Sequence, residues 1–162
     1  MNPFDQKREF LSLQSEWELP SRLERIPDLQ QEIVGLLERA GFSDQDIFAV
    51  RLALEEAVAN AMKHGNRLAD NKTVRVSLCL QPEAVIVRVS DEGEGFDPSS
   101  VPDPLAEENL ERPCGRGLLL MRHFMHQVEF LDKGSTVVMV RRRENSRQAE
   151  PCCSVQTETT AS

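Results

Sequence analysis

Two strand-like runs, TVRVSLCL beginning at Thr73 and AVIVRVSD ending at Asp91, are separated by only Gln81, Pro82 and Glu83. So short a connection closes a hairpin and joins the two runs antiparallel. A second hairpin is read over residues 128–143, VEFLDKGSTVVMVRRR, turning at Lys133 and Gly134. The stretch REFLSLQS near the start alternates weakly and reads as a further strand. These pieces commit the chain to a sheet, and the sheet needs helices to cover its apolar face.

The spacing supplies them. Ser21 followed by Glu24 has the form of a capping box. Leu23, Ile26, Leu29, Ile33 and Leu36 or Leu37 then recur at helical intervals up to Gly41, a suitable stop. Pro27 falls early and resets the helix start. Ser43, with Asp46 three residues on, opens a second helix. Its apolar stripe is Ile47, Val50, Leu54, Ala57 and Ala61, and Gly65 with Asn66 ends it. A third helical pattern, GLLLMRHFMHQVEF, starts at Gly117. Between the two hairpins, residues 98–117 are polar, rich in proline and without periodicity. This is long for a connection and reads as a lid or binding loop. Beyond Arg143 the composition turns polar, as in a disordered tail. The expected organisation is therefore one domain over residues 1–143 and a tail over 144–162.

The 162 residues carry a net charge of −8, which argues against a binder of duplex nucleic acid. The first residues lack the apolar core of a signal peptide, and runs such as GLLLM and TVVMV are too short to span a bilayer. A cytoplasmic protein without membrane attachment is expected. The four cysteines form neither a metal pattern nor a disulfide framework. Cys114, before a glycine-rich turn, is a loop thiol or a redox site.

The second helix poses a specific question. EEAVANAMKHGN, residues 55–66, places Glu56 and Asn60 one above the other beside the apolar stripe, with Lys63 three further on. Asparagine inside a helix costs roughly a few tenths of a kcal/mol against alanine, so something should offset it. Two further motifs follow in order: D-x-G-x-G at Asp91, Gly93 and Gly95, and G-x-G at Gly115, Arg116 and Gly117. Each alone has an ordinary explanation: a solvated helix face, an acidic turn, a helix start.

Together, in this order, they resemble the nucleotide-binding fold shared by gyrase, histidine kinases and MutL, the GHKL group. More narrowly they resemble the small anti-sigma serine kinases of the RsbW and SpoIIAB type, over roughly residues 10–140. The resemblance implies an α/β two-layer sandwich in which a mixed, mostly antiparallel sheet carries helices on one face. It implies ATP and Mg²⁺, with the Asn60 amide as a neutral metal ligand beside the phosphates. Glu56, about 6 Å before Asn60 along the axis, becomes the general base, and Lys63 a point charge on phosphate. Asp91 accepts a hydrogen bond from the adenine amino group, assisted by Thr136. Gly93 and Gly95 let the backbone approach the base and sugar. Gly115 and Gly117 let amides reach phosphate at a helix N-terminus. Arg112 and Arg116 are phosphate contacts or surface charge. His64 packs or bonds locally, with a catalytic role as the alternative. His123 and His126 are structural or exposed.

The implied activity is sequestration of a sigma factor and phosphorylation of a Ser or Thr on a STAS-type anti-anti-sigma partner, by a homodimer. The competing class is a nucleotide-dependent partner-switch module without phosphotransfer, and Glu56 discriminates between them.

Overall fold

The computed structural model describes residues 13–94 and 116–144. Residues 8–12 of the expected first strand, residues 98–115 of the expected lid (with Arg112, Cys114 and Gly115), Gly95 and the tail from residue 145 lie outside the described residues, while Arg116 and Gly117, read as the end of the lid, open a helix. Five strands form one sheet: β1 (Leu13–Pro20), β2 (Thr73–Leu80), β3 (Ala84–Ser90), β4 (Gln127–Leu131) and β5 (Thr136–Arg142), in the order β1-β2-β3-β5-β4. Every pairing among them is antiparallel, so among the described residues no parallel pair accompanies the mostly antiparallel sheet expected. Among the described residues three α-helices accompany it: α1 (Ile26–Arg39), α2 (Asp44–Asn60) and α3 (Arg116–Phe124).

The burial pattern follows from the pleat, in which alternate side chains face opposite sides. Val74, Val76, Leu78 and Leu80 of β2, Val85, Val87 and Val89 of β3, and Val137 and Met139 of β5 are all buried. They form one core with Leu29, Ile33 and Leu37 of α1 and Val50, Leu54 and Val58 of α2. The stripe read on α2 is buried at all five positions, and Ala49, Ala53, Val58 and Met62 join it. The excess over a simple stripe arises because α2 also packs against α1 and α3.

Several local readings hold. Gly41 sits in the left-handed region at φ +78°, and its amide bonds the Glu38 carbonyl while that of Phe42 bonds Leu37. This pair of bonds closes α1 in a Schellman motif. The Ser43 hydroxyl accepts from the Asp46 amide at 3.1 Å, capping α2. The turn between β4 and β5 falls at Asp132–Gly134, where all three φ angles are positive.

Other readings are corrected. The first strand runs to Pro20, five residues past the expected Ser15. Its eight rungs to β2 are kept because Leu19 is buried and Trp17 packs on the core. Ser21 is not a helix cap. Its hydroxyl donates to the Lys72 carbonyl, and α1 begins only at Ile26, with Pro27 in its first turn. The third helix stops at Phe124 because the His126 amide already bonds the Val140 carbonyl of the sheet. His126 is exposed, and its Nδ1 accepts from the Arg142 amide. Partial desolvation, then the charges of Arg141 and Arg142, hold its imidazole below the usual histidine range, against a smaller opposing effect of Asp46.

Three charged side chains tie the far end of the molecule together. Asp46 is fully buried and pairs with Arg141 Nε at 2.9 Å, and its other oxygen accepts the Glu144 amide. Arg141 also donates to the Phe124 carbonyl, closing the end of α3. Arg143 donates to the carbonyls of Ala40 and Gly41 and lies 4.0 Å over the Phe42 ring. Removing one member of a buried pair leaves an uncompensated charge, at a cost of about 3–5 kcal/mol. Urea denaturation of Asp46→Ala should show a loss of about that size. Arg75→Ala breaks only the exposed bridge to Glu16 and should lose less than about 1 kcal/mol.

Candidate functional site

Helix α2 ends beside the edge where the described chain resumes at α3. Glu56 and Asn60, one turn apart and both half-buried, face the start of that helix. Gly117 is the contact. A Cβ added there would lie 2.5 Å from Glu56 Oε2 and 3.1 Å from Asn60 Nδ2. A side chain there would displace the ends of both, so the glycine lets residues 57 or more positions apart in sequence converge on one carboxylate and one amide. Arg116 is exposed at the first turn of α3. At the other end, Phe124 meets Phe48 edge to face at 5.7 Å, so α3 runs antiparallel along the Phe48–Leu52–Glu56–Asn60 face of α2.

Directly after Asn60 the backbone widens into a π turn over Ala61–Gly65, closed by the Asn66 amide on the Ala61 carbonyl. A π turn advances less per residue around the axis than an α-helix does. Lys63 is thereby displaced from the position that 3.6-residue spacing assigns it, and both Lys63 and His64 are exposed. Such single π turns are frequent at functional sites.

The π turn delivers Gly65 to Asp91 at the end of β3. A Cβ on Gly65 would collide with the Asp91 carboxylate, and one on Gly93 would collide with the Gly65 carbonyl. Two backbones and one carboxylate thus occupy space that no larger residue would leave. The Asp91 amide bonds the Ser135 carbonyl at 2.9 Å, and the Gly93 amide donates to Asp91 Oδ1 at 2.7 Å. Burial pushes the Asp91 carboxyl above the usual range, opposed by the Gly93 hydrogen bond and the charge of Lys72. Thr136 is buried beside this strand end, opposite Ser90 in register. Its hydroxyl is engaged with those of Ser90 at 2.9 Å and with Asp132 Oδ2 at 3.2 Å, rather than with Asp91.

The expected residues therefore fall into two groups. Glu56, Asn60 and Gly117 meet at one end of the π turn. Asp91 and Gly93 meet Gly65 at the other, with Thr136 adjacent. Lys63 is exposed outside both contacts. Gly65 and Asn66 were read only as a helix stop. A Gly-Asn pair carries no local mark of a deeper role, because the partners that reveal it are distant in sequence.

Comparison with known proteins bears on the family and the fold. Residues 19–141 match the Histidine kinase-like ATPase domain family. The Serine-protein kinase RsbW of Listeria monocytogenes is 29% identical over 140 residues, 82% of this chain and 88% of the relative. The RsbW of Staphylococcus epidermidis is 30% identical over 135 residues, 78% of this chain and 84% of the relative. The crystal structure of the RsbU and RsbW domains of a Mycobacterium tuberculosis protein superposes with a TM-score of 0.55 at 15% identity, a likeness of fold. It covers 81% of this chain, which in turn spans 32% of that larger one. The chain belongs to the histidine kinase-like ATPase family, and within it is similar to the RsbW serine-protein kinases.

Proposed function

We propose that this protein is an ATP-dependent anti-sigma factor and protein serine/threonine kinase. It would sequester a sigma factor and phosphorylate a Ser or Thr of a STAS-type anti-anti-sigma partner. We place it in the cytoplasm as a homodimer, with no direct contact to nucleic acid or membrane. The domain occupies residues 1–143. The observation that carries the reading is the convergence of Gly117 on Glu56 and Asn60.

The residues fit a magnesium–nucleotide complex. A carboxylate and an amide stand side by side at a spot that a single methyl group would fill. Helix α2 approaches through its C-terminal part, the end that favours cations, and α3 presents its N-terminus, which favours anions. Asn60 would hold Mg²⁺ with the phosphates, and the ion when bound would supply positive charge against the phosphate charge. Gly115, Arg116 and Gly117 would line the phosphates, with the exposed Lys63 as a point charge. Glu56 takes the proton from the attacking hydroxyl. The hydroxyl oxygen then bonds the γ-phosphorus, the bond to the bridging oxygen breaks, and ADP departs. At the other end, Asp91 accepts from the adenine 6-amino group, with Thr136, Gly93 and Gly95 around the base. Guanine carries an acceptor at that place and would leave the carboxylate unpaired, which makes the site selective.

Three outcomes follow from these roles. Glu56→Gln should reduce phosphotransfer to the STAS partner by about 10²-fold or more while ATP affinity stays within a few-fold. Transfer surviving in that variant would favour the partner-switch module without catalysis. Calorimetric titration with ATP should require Mg²⁺ and collapse in Asn60→Ala, and wild-type protein that binds no ATP would sink the nucleotide reading. Because burial raises the Asp91 carboxyl, its ionised, proton-accepting form disappears as pH falls through that raised range. ATP affinity should therefore begin to drop at a higher pH than for an ordinary aspartate. Inorganic triphosphate, which does not reach Asp91, should show no such step.

A further inference from the structure

Asn66 is 1% exposed and is one of the few buried polar side chains among the described residues. Its amide makes three contacts to three separate elements. Nδ2 donates to Ser21 Oγ at 3.0 Å and to the Thr73 carbonyl at 2.9 Å. Oδ1 accepts the Glu92 amide at 2.7 Å. These partners lie at the end of β1, the start of β2 and the turn after β3. Glu92 returns the link, its carboxylate accepting the Thr73 amide at 2.6 Å. Ser21 extends it to the Lys72 carbonyl.

The consequence reaches the site. The Asp91 amide is held by Ser135, the Glu92 amide by Asn66 and the Gly93 amide by Asp91 itself. Every backbone donor of this three-residue turn is engaged, and among the described residues Asn66 supplies the hydrogen bond that ties the turn to the end of α2. Without that tie, nothing polar among these contacts presses Asp91 and Gly93 onto Gly65. The chain just after Asn66 is also strained. Arg67 and Leu68 both adopt left-handed φ, +52° and +55°, which residues with a Cβ adopt rarely. Strain of this kind persists only where surrounding contacts over-determine the backbone.

We propose that Asn66 is a positioning residue for the nucleotide base: it clamps the Asp91–Glu92–Gly93 turn against Gly65 and so sets where the Asp91 carboxylate meets the base. The proposal rests on the ATP reading above. It assigns to Asn66 an effect on base selectivity that a purely structural buried amide would not have.

The test uses the full chain and calorimetric affinities for Mg-ATP, Mg-GTP and Mg-inorganic triphosphate, with Tm recorded for each variant. Asn66→Ala should weaken ATP by about tenfold, the equivalent of one lost buried hydrogen bond, and shrink the ATP-to-GTP ratio accordingly. Triphosphate affinity should stay within about threefold, since the Glu56–Asn60–Gly117 end does not depend on the clamp. Ser21→Ala removes a partner of the amide but leaves the Glu92 bond, so it should lower Tm and keep the ratio. If Asn66→Ala does not fold, Asn66→Ser decides. Its hydroxyl is neutral and too short to keep all three contacts, so the ratio should shrink as in the alanine variant while no charge is added beside Asp91. An unchanged ratio in Asn66→Ala or Asn66→Ser, or a parallel fall in ATP and triphosphate affinity, would overturn the positioning role alone. Wild-type protein that binds none of the three ligands would remove the ATP reading and the positioning role with it.

Discussion

Burial of α2 on two sides is the constraint from which the rest follows. One arc of the helix, from Ile47 to Ala61, lies in the core beneath the sheet. A second arc, from Phe48 to Asn60, faces α3, with Phe48 at its exposed margin. A helix so enclosed has few degrees of freedom, because packing at core density resists even small shifts. Its polar residues are therefore held in place by the same contacts that stabilise the domain. Glu56 and Asn60 sit where the second arc runs out of apolar partners and a glycine takes over.

Both ends of α2 are fastened by long-range polar contacts of different character. At the N-terminus, the buried carboxylate of Asp46 is matched by Arg141 and by the Glu144 amide. Neighbouring Arg143 caps α1 with the same strand end. At the C-terminus, the neutral amide of Asn66 does the fastening, in the midst of backbone groups. A charge there would lie close to Asp91, whose carboxyl is already raised by burial. A neutral cross-link fixes the geometry without adding to that electrostatic load.

The π turn sets the spacing between the two halves of the site. It begins immediately after Asn60 and ends at Gly65, so the groups near the helix and the groups near the strand end are linked by five residues. The close approach of Gly65, Gly93 and the Asp91 carboxylate is possible only because two of the three residues lack a side chain. Backbone proximity, rather than a cluster of large side chains, builds this end of the site.

Much of this was legible in the amino-acid sequence. The three-residue connection after Leu80 determined an antiparallel hairpin, Ser43 and Gly41 determined helix limits, and helical spacing determined the stripe of α2. The order of the Glu56–Asn60, Asp91–Gly93 and Gly117 motifs identified the family, because these features depend on residues close together in the chain. Tertiary structure alone decided the rest. The extent of β1 depended on eight rungs to a strand some sixty residues away. Ser21 looked like a cap until Lys72 and Asn66 took its hydroxyl, and α3 yielded to β4 where the sheet claimed the His126 amide. The widening at Ala61 and the cross-link at Asn66 had no local signature either. The partners of the Asn66 side chain lie in distant segments, and a side chain's periodicity reports its neighbours on the helix, not the partners that folding brings to it.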